Sequence, residues 1–165
     1  MIRIVLLSIL TLVVQRILGM PGLPAWPAEI LLPAVWIVAP PLLHHERGWP
    51  YHALFLGLGW DLLLEPIVGP GGIAWTAASL SMYALAGLVA DRSAKAWVGF
   101  GAACAAVVIV ARHLALLPLG LAAPLSLEHV VRSILLTALW CGFVGVVVSL
   151  GLPARWKRYK AKRLR

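Results

Sequence analysis

Charged side chains are scarce in this chain of 165 residues. It contains 14 Lys and Arg and only 6 Asp and Glu, so 12% of the residues are charged, about half the share of a soluble globular domain. Two cysteines are too few for a disulfide framework, and an apolar content of 62% excludes a disordered chain. The mean hydropathy of +0.94 instead predicts a polytopic membrane protein with a single domain and no separate soluble part.

Six apolar runs are long enough to be considered as membrane spans, which need about 20 largely apolar residues. The second run is the weakest, because seven of the twelve prolines fall between Pro21 and Pro50. A five-span protein with a re-entrant second segment is therefore the alternative to six spans. We expect an all-α bundle of six transmembrane helices, five in the alternative. The predicted spans are residues 2–18, 27–43, 49–68, 73–90, 94–117 and 127–152.

The basic residues are distributed unevenly over the predicted loops. Six spans place eleven of the 14 basic residues on the side of the two termini, which predicts that both termini are cytoplasmic. Two aromatic belts are then expected. The outer one contains Trp26 and Trp75, and the inner one contains Trp49, Tyr51, Trp97 and Trp156. The tail is predicted to contact anionic lipid headgroups rather than nucleic acid. Its basic residues are Arg155, Lys157, Arg158, Lys160, Lys162, Arg163 and Arg165.

Several ionisable side chains fall inside the predicted spans, where each costs several kcal/mol unless it is paired or faces a cavity. They gather in the outer half of the bundle. One interpretation is an outward polar cavity that binds a partner segment or a small ligand. The other is a set of ion pairs that hold the helices together, with Glu128 and Arg132 paired within one turn. The members are Arg16, Asp61, Glu65, Arg112, His113, Glu128, His129 and Arg132.

Asp61 is the member for which a special role is most strongly predicted, because it lies deepest and follows two glycines. The chain shows no nucleophile, histidine and carboxylate at a recognisable catalytic spacing. It also lacks a metal-ligand pattern. The sequence therefore predicts a protein that is not an enzyme and that uses neither a metal nor a cofactor.

Three short motifs occupy the third and fourth predicted helices. They are a Gly-x-x-x-Asp-Leu pattern, an outer turn that contains Pro-Gly, and an aromatic residue four positions before a glycine and a basic loop. Their residues are Gly57, Asp61, Leu62, Pro70, Gly71, Gly72, Tyr83 and Gly87. Together with the length and the basic ends, these motifs resemble the rod shape-determining MreD family.

The resemblance implies a non-catalytic inner-membrane component of the bacterial elongation machinery for peptidoglycan synthesis. Proteins of this family associate with the bitopic protein MreC, and through it with MreB, RodA and a class B penicillin-binding protein. Their bundle resembles the substrate-binding subunits of energy-coupling-factor vitamin transporters, so such a subunit is the alternative function. Those subunits usually carry an Ala-x-x-x-Ala pattern on their first helix, which residues 2–18 lack.

The basic tail generates the first prediction. Removal of residues 155–165 takes away seven basic residues, and the loss of this positive charge should impair insertion or orientation in the membrane. The topology of the truncated chain is measured with a reporter fused to its end. Normal topology would show that the tail is dispensable for orientation.

Overall fold

The computed structural model describes residues 2–22, 24, 26–43, 49–89 and 93–163, without the side chains of residues 2–4, 49–50, 94 and 151–163. The loops at 44–48 and 90–92 and the side chains of the basic tail therefore lie outside the described residues. The described part is all-helical and contains no strand. Its α-helices are α1 (Ile2–Leu18), α2 (Ala34–Leu42), α3 (Trp49–Leu64), α4 (Pro70–Leu88), α5 (Ala94–Leu116) and α6 (Leu127–Arg163).

The helices pack largely in chain order around a central short helix. Helix α3 packs against α4, α4 against α5, and α5 against α6, while α2 lies against α4 and α5 and also touches α3 and α6. Helix α1 packs chiefly against α3 and a short 3-10 turn at Trp26–Glu29. The core consequently lies between α2 and the four helices that follow it, and α1 is attached at its edge.

The second apolar run forms a much shorter helix than a span over residues 27–43 requires. Helix α2 has nine residues, which is roughly 14 Å of helix. Pro33 stands at its N-cap, and Pro40 and Pro41 lie in its last turn, so proline limits the regular part. Seven of its nine residues are buried, which is why this segment is apolar on all sides.

Other helix ends also differ from the expected ones. Helix α3 ends at Leu64 rather than at residue 68, just before Pro66, because proline lacks the N–H that a helix interior needs. Helix α4 begins at Pro70 instead of residue 73, since proline suits the first helical position. The backbone of α6 stays helical to Arg163, eleven residues beyond the expected end at 152.

Two helices of the described residues are long and apolar enough to cross a membrane, Lys95–Leu119 and Leu127–Leu150. Two shorter apolar helices, Val5–Leu18 and Tyr51–Leu64, accompany them. Large apolar side chains are exposed along whole helix faces, an arrangement that a water-soluble monomer avoids. On α1 the exposed positions include Leu6, Leu10, Val13 and Ile17.

Of the side chains predicted for the two aromatic belts, Trp26 and Tyr51 are exposed, whereas Trp75 and Trp97 are buried. Trp75 is 1% exposed and packs against Trp60 with ring centroids 5.6 Å apart. Trp97 is 3% exposed and lies against Gly145 of α6. The prediction that Trp75 and Trp97 lie in interfacial belts is therefore wrong, because both rings fill the core between helices.

Helices α3 and α4 approach each other closely at a glycine. A Cβ atom added to Gly57 would lie 2.7 Å from the Cα atom of Gly72 and 2.7 Å from the carbonyl carbon of Gly71. Both neighbours are backbone atoms that cannot turn aside. The absence of side chains at these glycines therefore allows the two helices to pack closely at Gly57.

Substitution Gly57→Ala should therefore force α3 and α4 apart and lower the free energy of unfolding by about 1–3 kcal/mol. Gly99→Ala is the control, because an added Cβ at Gly99 meets nothing within 4 Å, and alanine favours the helix. Both variants are compared with the parent chain by thermal unfolding in detergent. Equal midpoints for the two variants would contradict the close contact.

Candidate functional site

The Asp61 carboxylate of α3 caps the N-terminus of α4. Its Oδ2 atom accepts a hydrogen bond from the Gly69 backbone N–H at 2.7 Å, and its Oδ1 atom accepts one from Gly71 at 2.9 Å. The Gly72 N–H donates to Oδ2 at 3.4 Å. The first N–H groups of a helix have no partner within it and carry partial positive charge, so a carboxylate satisfies both needs.

The turn before α4 is shaped to reach this carboxylate. Gly69 has a φ of +130°, which strongly favours glycine, and Pro70 follows it at a position where no N–H is needed. A Cβ atom at Gly71 would lie 2.8 Å from Cγ of Asp61. Asp61 is fully buried, and its oxygens are occupied by α4. This joint between α3 and α4 accounts for its depth, and contact with a partner stays a prediction.

A second carboxylate, Glu29, forms the centre of the ion pairs and was not among the predicted site residues. Its side chain is 7% exposed, and both of its oxygens accept hydrogen bonds from the Arg132 guanidinium. His129 Nδ1 lies 3.6 Å from Glu29 Oε1. The predicted Glu128–Arg132 contact is also present at 3.8 Å, but Glu128 is 83% exposed. Arg132 therefore pairs mainly with Glu29 rather than within its own helix.

The irregular segment 26–33, which carries Glu29, is bound by side chains of α1 and α6. The Leu31 N–H donates to Thr137 Oγ1 at 3.0 Å, and the Leu32 N–H donates to Gln15 Oε1 at 3.1 Å. Carbonyl groups of the segment accept further hydrogen bonds. Their donors are Gln15 Nε2 to Ala28, Ser133 Oγ to Glu29 and Trp140 Nε1 to Leu32. Side chains thus replace the partners that a regular helix would supply.

A sequence signal for this segment existed. Ser133, Thr137 and Trp140 lie on one face of α6 in an i, i+4, i+7 pattern that continues the positions of His129 and Arg132. Glu29 is one of only six acidic residues in the chain, and it lies inside the predicted span at residues 27–43. An acidic residue on one apolar segment and a polar stripe on another are expected to meet.

The remaining predicted residues gather around Arg112. Its guanidinium lies 2.6 Å from Glu65 Oε1, with the two side chains 36% and 21% exposed. Arg16, Glu65, Arg112 and His129 line one cavity of about 300 Å³. His113 lines a neighbouring cavity of about 240 Å³ together with Arg112. The structure thus brings the predicted cluster together around adjoining cavities, and Glu128 lies at its exposed margin.

The family-motif residues separate into two places. Gly57, Asp61 and Gly72 meet at the joint between α3 and α4. Tyr83 and Gly87 lie near the other end of α4, where Gly87 is exposed and has no atom within 4 Å of an added Cβ. The first three residues therefore have a packing role that the geometry explains.

The chemistry available at this end of the bundle is electrostatic. Each of the carboxylates Glu29 and Glu65 has an arginine partner, and Asp61 has backbone partners. Within the described ranges, no three His, Cys, Asp or Glu side chains form a group that could hold a metal ion. The arrangement can hold helices together and can attract an anion to an arginine.

Thr137 offers a quantitative test of the bound segment. Its side chain is fully buried, so Thr137→Val leaves the Leu31 N–H without an acceptor at nearly unchanged volume. We expect the free energy of unfolding to fall by about 1–3 kcal/mol. Thr137→Ser, which retains the hydroxyl group, is the control and should unfold close to the parent midpoint. A Thr137→Val midpoint as high as that of Thr137→Ser would show that the hydrogen bond to Leu31 contributes little to stability.

No family model matches the chain, and neither a curated protein nor a solved structure is found to be similar to it.

Proposed function

We propose that this chain is a non-catalytic, multi-pass protein of the bacterial inner membrane that binds an MreC-like partner. Through that partner it would act with MreB, RodA and a class B penicillin-binding protein in the control of peptidoglycan synthesis and cell shape. In this proposal the bundle has six spans, or five with the second apolar segment, residues 27–43, as a re-entrant element, and both termini are cytoplasmic. The proposal rests on the motif resemblance and on the exposed face of α1.

The exposed face of α1 is the observation that carries the proposal. Helix α1 packs chiefly against α3 and the short turn at Trp26–Glu29, so most of its circumference is free within the described part. Leu6, Leu10, Val13 and Ile17 follow one another at helical spacing and are 42–60% exposed. Such a stripe fits a single partner helix lying alongside α1. A bitopic partner has one such helix to offer.

The internal use of the carboxylates supports a non-catalytic role. A general acid or base needs a group that is free to exchange a proton with a substrate. Asp61 is occupied by the N–H groups of α4, and Glu29 by Arg132. These contacts stabilise the bundle and leave partner binding to the outer surfaces.

A substrate-binding subunit of a vitamin transporter is the second candidate. The cavity of about 300 Å³ beside Arg16 favours it, because ligand pockets occupy about 300–1,000 Å³. The missing Ala-x-x-x-Ala pattern on α1 weighs against it, since the resemblance assigns that pattern to docking of the coupling subunit.

The test is to extract the tagged chain in mild detergent from cells that carry a photo-crosslinking residue at Leu10 or at Leu139. Leu139 is the matched control, because it is 65% exposed on α6 and Leu10 is 56% exposed on α1. An MreC-like protein should co-purify, and it should crosslink several-fold more at position 10 than at position 139.

Two results would contradict this proposal. Crosslinking of the MreC-like protein at position 139 alone would assign the interface to α6 rather than to α1. A co-purifying ATPase without an MreC-like protein, or a retained small molecule without any protein partner, would favour the transport subunit.

A further inference from the structure

Three adjoining cavities lead inward from the end of α1. The outermost, of about 470 Å³, shares Gly19, Ala28, Glu29 and His129 with the middle cavity of about 300 Å³. The middle cavity in turn shares Trp60, Ile109, Arg112 and His129 with the innermost one, of about 240 Å³. The shared walls define a path from the surface to the core, large enough for a small organic ligand.

Of the two arginines that line the middle cavity, Arg112 has a carboxylate partner and Arg16 has none among the described residues. Glu29 is held by Arg132, and Glu65 lies 2.6 Å from Arg112. Arg16 also lines this cavity, and no carboxylate among the described residues forms an ion pair with it. Arg16 is exposed on α1 and lines a wall with both polar and apolar residues, so its guanidinium can donate hydrogen bonds to an anion that enters the cavity.

The innermost cavity is apolar and aromatic. Trp60 and Trp75 line it with their ring planes inclined by 53°. Other apolar lining residues are Ala74, Val108 and Ile109, together with Leu121 and Leu125 of the loop before α6. These surfaces offer no charge except at Arg112 and the histidines His113 and His129. A ligand that extends this far therefore needs an apolar body.

We propose that the middle and innermost cavities bind one anionic amphiphile. Its carboxylate or phosphate group lies against Arg16, and its apolar body extends towards Trp60 and Trp75. Both a lipid acidic headgroup from the bilayer and a soluble organic acid have this chemistry. The site goes beyond the proposed partner role, since neither MreC-like binding nor transport is needed for it.

The experiment measures binding to the full chain in neutral detergent by native mass spectrometry. The probes are decanoate, dilauroyl phosphatidylglycerol and, as the zwitterionic comparison, dilauroyl phosphatidylcholine. Arg16→Gln should raise the Kd for an anionic probe about tenfold, which corresponds to about 1.4 kcal/mol. Arg16→Lys should retain most of the affinity because the positive charge remains.

Lys95→Gln is the matched control for net charge. Lys95 is exposed near the opposite end of α5, so its loss lowers the charge equally without touching the cavities. This control also distinguishes binding in the cavities from non-specific attraction of anions to a chain of net charge +8. Ile109→Phe is a second variant, which fills the shared wall of the two cavities and should weaken the same probe while every charge stays in place.

The outcomes separate the two sources of the ligand. Arg16-dependent binding of phosphatidylglycerol alone assigns the site to a bilayer lipid, and Arg16-dependent binding of decanoate alone assigns it to a soluble acid. Equal affinities for Arg16→Gln and Lys95→Gln would overturn the proposal. So would phosphatidylcholine binding as tight as phosphatidylglycerol binding, or full affinity in Ile109→Phe. Co-purification of an MreC-like protein is measured separately and does not depend on these results.

Discussion

The carboxylate of Asp61 at the start of α4 is the interaction on which the arrangement of the helices depends. A helix that begins inside an apolar bundle has N–H groups that water cannot reach, and an unsatisfied buried group costs about 1–3 kcal/mol. Asp61 accepts hydrogen bonds from three of them, at Gly69, Gly71 and Gly72. The contact requires α3 and α4 to approach closely, and Gly57 and Gly71 have no side chain to prevent this. The need to satisfy these buried N–H groups thus explains both the acidic residue Asp61 and the glycines at positions 57 and 71.

The same need for hydrogen-bond partners explains how a segment without an α-helix lies inside the bundle. Residues 26–33 would expose backbone groups that a regular helix pairs internally. Gln15, Ser133, Thr137 and Trp140 supply the missing partners. The Arg132 ion pair holds Glu29 in place at the same point. Because this segment is bound from both sides, α2 can be short and still fill the centre, with residues such as Ala34 and Val38 fully buried.

The sequence predicted the all-helical class and the grouping of charged residues at one end, because apolar runs and rare charges are composition-level signals. It did not predict which charges pair. Arg132 was expected to pair with Glu128 four residues away, yet its main partner Glu29 is 103 residues distant, and helical spacing carries no information about such a contact. Trp75 and Trp97 were placed at interfaces from their positions near helix ends, but depth along a helix does not determine which side faces the core. The short α2 follows from prolines that the sequence displays, whereas its burial follows from packing alone.

The internal contacts of Asp61 and Glu29 limit which groups of the bundle can bind a partner or a ligand. A carboxylate that accepts helix N–H groups or a guanidinium fork cannot also bind an external group without loss of those hydrogen bonds. Asp61 and Glu29 therefore act through the shape they impose, and groups outside these networks are the ones available to a partner or ligand. Arg16 is such a group, and it lies on α1, the helix attached along one side only. The exposed stripe of α1 and the cavity beside Arg16 consequently share one element, so a helix that docks on that stripe lies next to the entrance through which an amphiphile would reach the core.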